Sequence, residues 1–227
     1  MGFTRFVKLP VMLMLLLVFG LPAKSVPKLN DQKIIAALSD NYGQRAALRG
    51  RAWLAIMANS GDASTADKLA KINSFFNQLQ FIDDSKLWGV ENYWATPIEF
   101  IGVNGGDCED FAIAKYFSLL ELGIADEKMR ITMVKSLTLN QYHMVVAYYP
   151  TPGAVPLILD NIDGEIKPAD QRNDLLPVYS FNGKQLWLNK EKGQGVLAGK
   201  SQRLKRWSNL NQRMGLSNLK QAKLSLE

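Results

Sequence analysis

The chain changes its hydrophobic pattern near Gly123, and this change constrains the fold more than any other feature. Before it, apolar residues recur at the spacing of amphipathic helices, and a helix is predicted to start at Cys108. After it come short runs rich in β-branched and aromatic residues, which are typical of strands, at 131–135, 142–149, 155–160 and 178–188. A block of helices followed by an antiparallel sheet predicts an α+β fold.

Residues 1–25 have the layout of a secretory signal. Arg5 and Lys8 precede an apolar run, and the small residues Ala23 and Ser25 follow it at the positions that a signal peptidase reads. The run is shorter than the roughly 20 apolar residues that span a bilayer, which argues against a retained membrane anchor. We therefore expect the signal to be cleaved and the mature protein to be periplasmic.

The mature chain is predicted to have three parts. Residues 26–80 are expected to form an N-terminal helical lobe, 81–190 the catalytic core, and 191–227 a basic C-terminal helical tail. The net charge of +6 describes this tail and not the body, because residues 190–227 hold nine Lys and Arg against two Asp and Glu. Such a tail is either a binding surface for an acidic partner or membrane, or a solvated helix face. We expect no nucleic-acid partner.

Cys108 is the only cysteine, so an internal disulfide is excluded and a functional thiol is favoured in an exported protein. Gly105 and Gly106 free the backbone just before it, and Asp107 is placed to cap a helix. In the first turn, the positive end of the helix dipole favours the thiolate, and unpaired N–H groups can hold an oxyanion. The sequence therefore predicts a nucleophile at Cys108, with a buried inert thiol as the alternative.

A thiolate nucleophile needs a base, and His143 is the only histidine of the chain. It lies in the second predicted strand, where one ring nitrogen can take the proton of Cys108 and the other needs an orienting acceptor. Asp160 ends the next predicted strand, and antiparallel pairing would bring it beside His143. Asp163 is a weaker candidate for this role, because its Asp-Gly context is explained by a turn.

Three acids surround the nucleophile: Asp107, Glu109 and Asp110. Unless they are neutralised, their charges raise the pKa of the Cys108 thiol. Either the acids cap the helix and face solvent, or they hold a hard cation, for which oxygen ligands favour Ca²⁺ over zinc. No second cysteine or histidine is present to build a zinc site.

The motif at 105–124, the strand around His143 and the Leu-Asp-Asn run ending at Asn161 resemble the bacterial transglutaminase-like cysteine proteinases. Within this family, they are similar to the periplasmic proteases that release a large adhesin from the outer membrane. The resemblance covers residues 60–190 or thereabouts. It implies a papain-like, transglutaminase-like core in which a catalytic helix packs on an antiparallel sheet, beside an N-terminal helical lobe.

The resemblance also implies residue roles and partners. It implies a calcium-dependent endopeptidase with the triad Cys108, His143 and Asp160. It implies Ca²⁺ ligands next to the nucleophile, at Asp107 and Glu109, with Asp110 as a further candidate. The implied substrate is the N-terminal region of a large outer-membrane-associated adhesin, cut near a pair of alanines, whose release promotes biofilm dispersal. The implied regulator is an inner-membrane cyclic di-GMP receptor that sequesters the protease, and Trp88 and Trp94 are candidates for exposed contacts with it.

Two other functions stay open at the level of sequence. An acyltransferase or amidase of transglutaminase type would use the same thioester intermediate and differ only in the second nucleophile. A secreted binding module would use the basic tail to bind an acidic polymer and keep Cys108 as an inert core thiol.

Overall fold

The computed structural model describes residues 1–2, 30–189 and 195–226. The predicted signal peptide at 1–25 lies outside the described residues except for its first two positions, and so does the predicted boundary at 190. None of the helices in the described part of the chain is both long enough and apolar enough to cross a membrane.

Most α-helices precede the main sheet, as the hydrophobic pattern predicts. They are α1 (Asp31–Tyr42), α2 (Gln44–Ala58), α3 (Thr65–Phe76), α4 (Asp84–Leu87), α5 (Pro97–Val103), α6 (Cys108–Glu121) and α7 (Lys205–Arg213). The predicted mixture of helices and an antiparallel sheet is therefore confirmed.

Local sequence signals explain where these helices begin and end. The side chains of Asn30 and Ser64 accept hydrogen bonds from backbone N–H groups in the first turns of α1 and α3, as N-caps do. Helix α2 begins at Gln44, because Gly43 adopts a φ of 87° and ends α1. Helix α5 lies between α4 and the nucleophile. This helix begins with a capping box of Thr96 and Glu99, a pattern that is visible in the sequence but that the sequence analysis missed.

The strands form a two-stranded and a seven-stranded sheet within the described residues. They are β1 (Gln80–Phe81), β2 (Gly105–Gly106), β3 (Met129–Ser136), β4 (Gln141–Tyr148), β5 (Leu157–Leu159), β6 (Lys167–Pro168), β7 (Leu175–Phe181), β8 (Gln185–Leu188) and β9 (Val196–Lys200). Strands β1 and β2 pair in parallel. The larger sheet has the order β6-β5-β4-β3-β7-β8-β9, and all its neighbouring strands are antiparallel.

The main core lies between the helices and one face of the large sheet, with α6 packed on β3 and β4. Helix α7, from the predicted tail, contributes Trp207 to this core. Its ring stacks on Phe117 and meets Tyr116 and Phe181 edge-on. This packing puts the start of α6, where Cys108 lies, next to the beginning of β4.

Candidate active site

Gly105 and Gly106 form β2 and allow it to lie very close to its neighbours, and this close approach positions the start of α6. A Cβ on Gly105 would fall 2.4 Å from the carbonyl oxygen of Gln80 in the paired strand β1. A Cβ on Gly106 would fall 2.2 Å from Oδ2 of Asp110. Neither position has room for a side chain, so the glycines fix how closely β2 and the first turn of α6 approach their neighbours. Cys108 follows at once as the first residue of α6.

The Cys108 thiol is partly buried and surrounded by groups that keep its proton on sulfur. Sγ donates a hydrogen bond to Oε2 of Glu109 at 3.1 Å. Burial, then the negative charges of Glu109 and Asp107, raise the pKa of the thiol well above its usual range, although the N–H of Met144 opposes this by donating to Sγ. Burial and the neighbouring acids therefore both favour the neutral thiol, and the effect of the acids is the one that the sequence predicts in the absence of a neutralising cation.

His143 and Asp160 form a buried hydrogen-bonded pair. His143 is 2% exposed in β4, and its Nε2 lies 2.7 Å from Oδ1 of Asp160, which directly follows the adjacent antiparallel strand β5. Burial raises the pKa of Asp160, but the bonds from His143 and from the N–H of Ile162 lower it below its usual range. No hydrogen bond joins Cys108 to His143 in the described residues. Nδ1 is the ring nitrogen left for a reacting thiol.

Two buried cations support this pair, and the sequence analysis singled out neither. Arg172 is 5% exposed, and its Nη2 donates to Oδ2 of Asp160 and to Oδ2 of Asp174, both at 2.8 Å. Lys115 is 1% exposed on α6, and burial lowers its pKa to about 7, although the negative charge of Asp160 acts against this. Arg172 lies in a polar stretch without periodicity, so only the tertiary contact reveals it.

Three carboxylates converge beside the nucleophile, from Asp84, Asp107 and Asp110. One oxygen atom from each lies within 4.8 Å of the others. A second oxygen of Asp84 accepts a bond from the N–H of Tyr93, and one of Asp110 accepts from the N–H of Ala95 at 2.7 Å. One oxygen of each acid, Asp84 Oδ1, Asp107 Oδ1 and Asp110 Oδ2, is buried without a hydrogen-bond partner.

This acidic cluster (Asp84, Asp107 and Asp110) fits a hard divalent cation. Burial, together with the charges of the neighbouring acids, raises the pKa of each of its carboxyls. Asp107 occupies the N-cap position of α6, but its side chain makes no capping hydrogen bond, so the cap explanation is wrong for this acid. Buried carboxylate oxygens without donors are the ligands that Ca²⁺ takes, and thiolate or imidazole ligands are absent from the cluster.

The structure also locates the other acids that the sequence analysis named. Glu109 lies on the thiol side, where its carboxylate, the carboxylate of Asp107 and the Cys108 sulfur fall within 4.8 Å of one another. Asp163 lies in a turn and pairs with Lys167 at 2.8 Å, away from the buried pair in β4 and β5. Asp84, which the sequence analysis missed, lies far upstream in a short helix that no motif connects to the nucleophile.

The prediction that Trp88 and Trp94 are exposed contacts is wrong. They are 2% and 5% exposed, respectively. Trp88 packs on Tyr93 and Trp94 stacks on Phe181, so both belong to the main core. Aromatic residues in this connection fill space between α5, α6 and the sheet instead of forming a surface.

The structure thus brings the thiol at the N-terminus of α6 against β4, the strand that carries His143 and its partner Asp160. The sequence profile described as bacterial transglutaminase-like cysteine proteinase BTLCP matches residues 55–194. The chain therefore belongs to this family, which confirms the family and the fold class predicted from sequence. The match ends before β9, so α7 and the residues after it lie beyond it.

Solved structures of LapG from Legionella pneumophila are similar to this protein. One LapG structure shares 42% sequence identity, with a TM-score of 0.73, over 84% of this chain and 100% of that chain. An EGTA-treated LapG structure gives a TM-score of 0.74, with the same identity and coverage. A calcium-bound one gives 0.71 at 42% identity, over 82% of this chain and 100% of that chain. A search of the curated proteins finds no match.

Proposed function

We propose that this protein is a calcium-dependent cysteine endopeptidase in which Cys108, His143 and Asp160 carry the chemistry. The observation that carries the proposal is the buried His143–Asp160 pair on a strand whose next residue, Met144, donates its N–H to the Cys108 thiol in the first turn of α6. Three carboxylates with unpartnered buried oxygens beside that thiol support the requirement for a cation. The similarity to LapG, of which a calcium-bound structure exists, agrees with both parts.

The proposed reaction starts with proton transfer from Cys108 Sγ to Nδ1 of His143. Asp160 accepts the Nε2–H bond, which orients the ring and stabilises the imidazolium that forms. The thiolate then attacks the carbonyl carbon of the scissile peptide bond. Asp160 remains ionised throughout, because Arg172 and His143 both bind its carboxylate.

The tetrahedral intermediate carries a negative oxygen, for which the first turn of α6 provides donors. The N–H of Asp110 donates to the carbonyl oxygen of Asp107, so the N–H groups before it, of Cys108 and Glu109, are the donors that α6 offers to an oxyanion. The imidazolium of His143 then gives its proton to the leaving amine, and a thioester to Cys108 remains. Water, deprotonated by the same imidazole, hydrolyses this thioester and regenerates the thiol.

Asp84, Asp107 and Asp110 would hold the cation, with Glu109 close enough to contribute from the thiol side. A bound Ca²⁺ supplies positive charge that offsets the acids around Cys108 and so lowers the pKa of its thiol. In the structure, the Cys108 thiol donates its hydrogen bond to the carboxylate of Glu109. The negative charge of Glu109 must therefore be shielded before the thiol can transfer its proton to His143.

We extend the proposal to the protein's location, substrate and regulator on the basis of the family resemblance. The signal-like layout of residues 1–25 supports export to the periplasm. The proposed substrate is the N-terminal region of a large outer-membrane-associated adhesin, whose cleavage releases the adhesin and disperses biofilm. The proposed regulator is an inner-membrane cyclic di-GMP receptor that sequesters the protease.

The test is incubation of the mature protein with the N-terminal region of the organism's own large adhesin, followed by electrophoresis and mass spectrometry. We expect one or a few clean cuts in calcium, none in EGTA, and recovery with added calcium but not with magnesium. Cys108→Ala and Asp160→Ala should abolish cleavage. Asp163→Ala is the matched control, because Asp163 lies in an exposed turn and pairs with Lys167. Cleavage by Cys108→Ala, or full activity in EGTA, contradicts the proposal.

The same incubation separates the rival chemistry. With a small primary amine present, an acyltransferase would incorporate the amine into the adhesin fragment without cutting its backbone. Incorporation without cleavage would replace the endopeptidase by a transglutaminase-type enzyme.

A further inference from the structure

The chain continues beyond α7 as an extended segment that crosses the molecule. We call residues 213–226 the C-terminal strap: the last residue of α7 and the irregular stretch after it. Its apolar side chains pack against the main core, at Leu216, Leu219, Ala222 and Leu226. The strap therefore has a fixed path on the protein. The prediction of a helical tail at 191–227 is wrong for most of that range, because the described residues there form β9, α7 and this irregular strap.

The first anchor of the strap lies on the segment that donates to the acidic cluster. Nη1 of Arg213 binds Oε2 of the buried Glu99 at 3.0 Å, and Nη2 donates to the carbonyl oxygen of Trp94. The N–H groups of the residues on either side of Trp94 are those that bind Asp84 and Asp110. Arg213 thus fixes the peptide that orients two of the three acids.

A second anchor lies on α4, which begins at Asp84. The N–H of Lys223 donates to the carbonyl oxygen of Leu87, the last residue of α4, at 2.8 Å. The side chain of Lys223 lies over Gly89, where an added Cβ would fall 2.2 Å from Cε. The strap therefore covers the end of the short helix that supplies Asp84.

The third anchor joins the strands next to the nucleophile. The carbonyl oxygen of Leu226 accepts bonds from Nε2 of Gln80 at 2.9 Å and from Nδ2 of Asn104 at 3.2 Å. Gln80 belongs to β1 and Asn104 directly precedes β2, so one carbonyl bridges both sides of the small sheet. Leu226 Cδ1 also lies 2.9 Å from the position of a Cβ on Gly105, two residues before Asp107.

We propose that the C-terminal strap is a positioning element of the cation site. The strap touches α4, the peptide around Trp94 and the β1–β2 crossing, and these deliver Asp84, Asp110 and Asp107 to the cluster. Carboxylates of like charge repel one another when no cation is bound, so contacts with the surrounding chain must hold the three acids close together. This inference rests on the proposed calcium dependence and adds the residues that organise the site.

The first test measures calcium affinity by isothermal titration of the mature protein and of a variant that ends at Lys223. The variant lacks the Leu226 anchor, and we expect its calcium Kd to rise about tenfold, within the usual range of coupling between two sites. Circular dichroism and the unfolding midpoint in EGTA should stay close to those of the parent. A folded truncated variant with the parent's calcium Kd overturns the proposal.

A point variant keeps the test decisive if the truncated chain does not fold. Gln80→Met removes the side-chain donor to Leu226 and keeps the length of an exposed side chain. Gln78→Met is the matched control, because Gln78 is also exposed and its side chain donates only to the carbonyl oxygen of Ser74, four residues earlier. We expect Gln80→Met to weaken calcium binding and Gln78→Met to leave it unchanged. Equal affinities for the two variants contradict a role of the strap in the site.

The reciprocal measurement is hydrogen exchange at the strap. If docking of the strap and binding of calcium favour each other, calcium must slow exchange of the Lys220 and Lys223 amides by a corresponding factor. Both amides donate to groups on the covered segment, at 2.9 Å to Glu99 and 2.8 Å to Leu87. No calcium binding by the parent protein refutes the proposed function itself. Calcium binding with unchanged exchange refutes only the role of the strap.

Discussion

Replacement of Asp84 by asparagine should change the stability of the protein in opposite directions with and without calcium. Oδ2 of Asp84 accepts the N–H of Tyr93, and asparagine can keep this bond through its carbonyl oxygen. The unpartnered inner oxygen then becomes an NH₂ group, which can donate to Asp107 or Asp110. Asp84→Asn thus removes one charge and one ligand without changing the size of the side chain.

In EGTA, the size of the change in unfolding free energy follows from the distance between the acids. Two like charges 4.8 Å apart, the outer limit for the three cluster oxygens, repel by about 3.5 kcal/mol at an effective dielectric constant of about 20. Proton uptake by the buried carboxyls relieves part of this repulsion, because their pKa values are raised. We therefore expect Asp84→Asn to raise the free energy of unfolding in EGTA by about 1–3 kcal/mol.

In calcium, the size of the change in unfolding free energy follows from the coupling between calcium binding and folding. Calcium at about one thousand times its Kd raises the parent's free energy of unfolding by about 4.1 kcal/mol, which exceeds the advantage of the variant in EGTA, and the variant with a weakened site should gain much less. Denaturant unfolding of both proteins in EGTA and in saturating calcium checks the crossover. Asp83→Asn is the control, since Asp83 is exposed, pairs with Lys86 at 3.2 Å and lies outside the cluster. A variant that is destabilised in EGTA and keeps the full calcium gain would refute a cation site at this cluster.

Three further outcomes are expected. Gly106→Ala should displace Asp110, weaken calcium binding at least about tenfold and cost about 1–3 kcal/mol in unfolding free energy, as in overpacked cores. Lys115→Met should stabilise the protein below pH 7, by up to about 5 kcal/mol, because burial lowers the pKa of this lysine from 10.5 to about 7. The parent's free energy of unfolding should rise with pH between about 7 and 10.5, because Lys115 stays protonated only in the unfolded state over this range. Lys115→Met should flatten that rise. Arg172→Gln should lower kcat more than KM in the adhesin assay, because Asp160 loses a buried charged donor.

Each of these variants has a control and a contrary result. Gly61→Ala adds a Cβ in open space at an exposed turn, so it should leave calcium binding intact. Lys33→Met removes an exposed lysine from α1 and should change stability by less than about 0.5 kcal/mol. Asp174→Asn keeps an acceptor for Arg172 outside the buried pair and should lower kcat less than Arg172→Gln does. Unchanged calcium affinity in Gly106→Ala, a pH-independent effect of Lys115→Met, or a purely KM effect of Arg172→Gln would each contradict its prediction.

The sequence was sufficient where chemistry depends on residue type and chain order. A single cysteine after two glycines, a single histidine in a strand and an aspartate ending the next strand led to Cys108, His143 and Asp160. The structure places Nε2 of His143 and Oδ1 of Asp160 2.7 Å apart, because antiparallel pairing of β4 and β5 brings Asp160 close to the part of β4 that carries His143. The roles of these residues in catalysis stay a prediction until the cleavage assay is done.

The sequence was insufficient where function depends on contacts between distant segments. Asp84 and Arg172 stand in polar stretches that look like ordinary surface, and only packing buries them beside Asp107 and Asp160. The tryptophans before the nucleophile gave the opposite error, because they were predicted to be exposed and are buried. They looked available to a partner, but Trp94 fills the core against Phe181.

The bonds from Leu226 to Gln80 and Asn104 set an order of events for a chain that emerges N-terminus first. They join residues 146 and 122 positions apart, respectively, so they cannot form until residue 226 has left the ribosome. One of the bridged strands, β2, directly precedes the nucleophile, and it acquires this bridge only after residue 226 is available. The protease therefore completes the surroundings of its site late in folding, after the catalytic core itself has been synthesised.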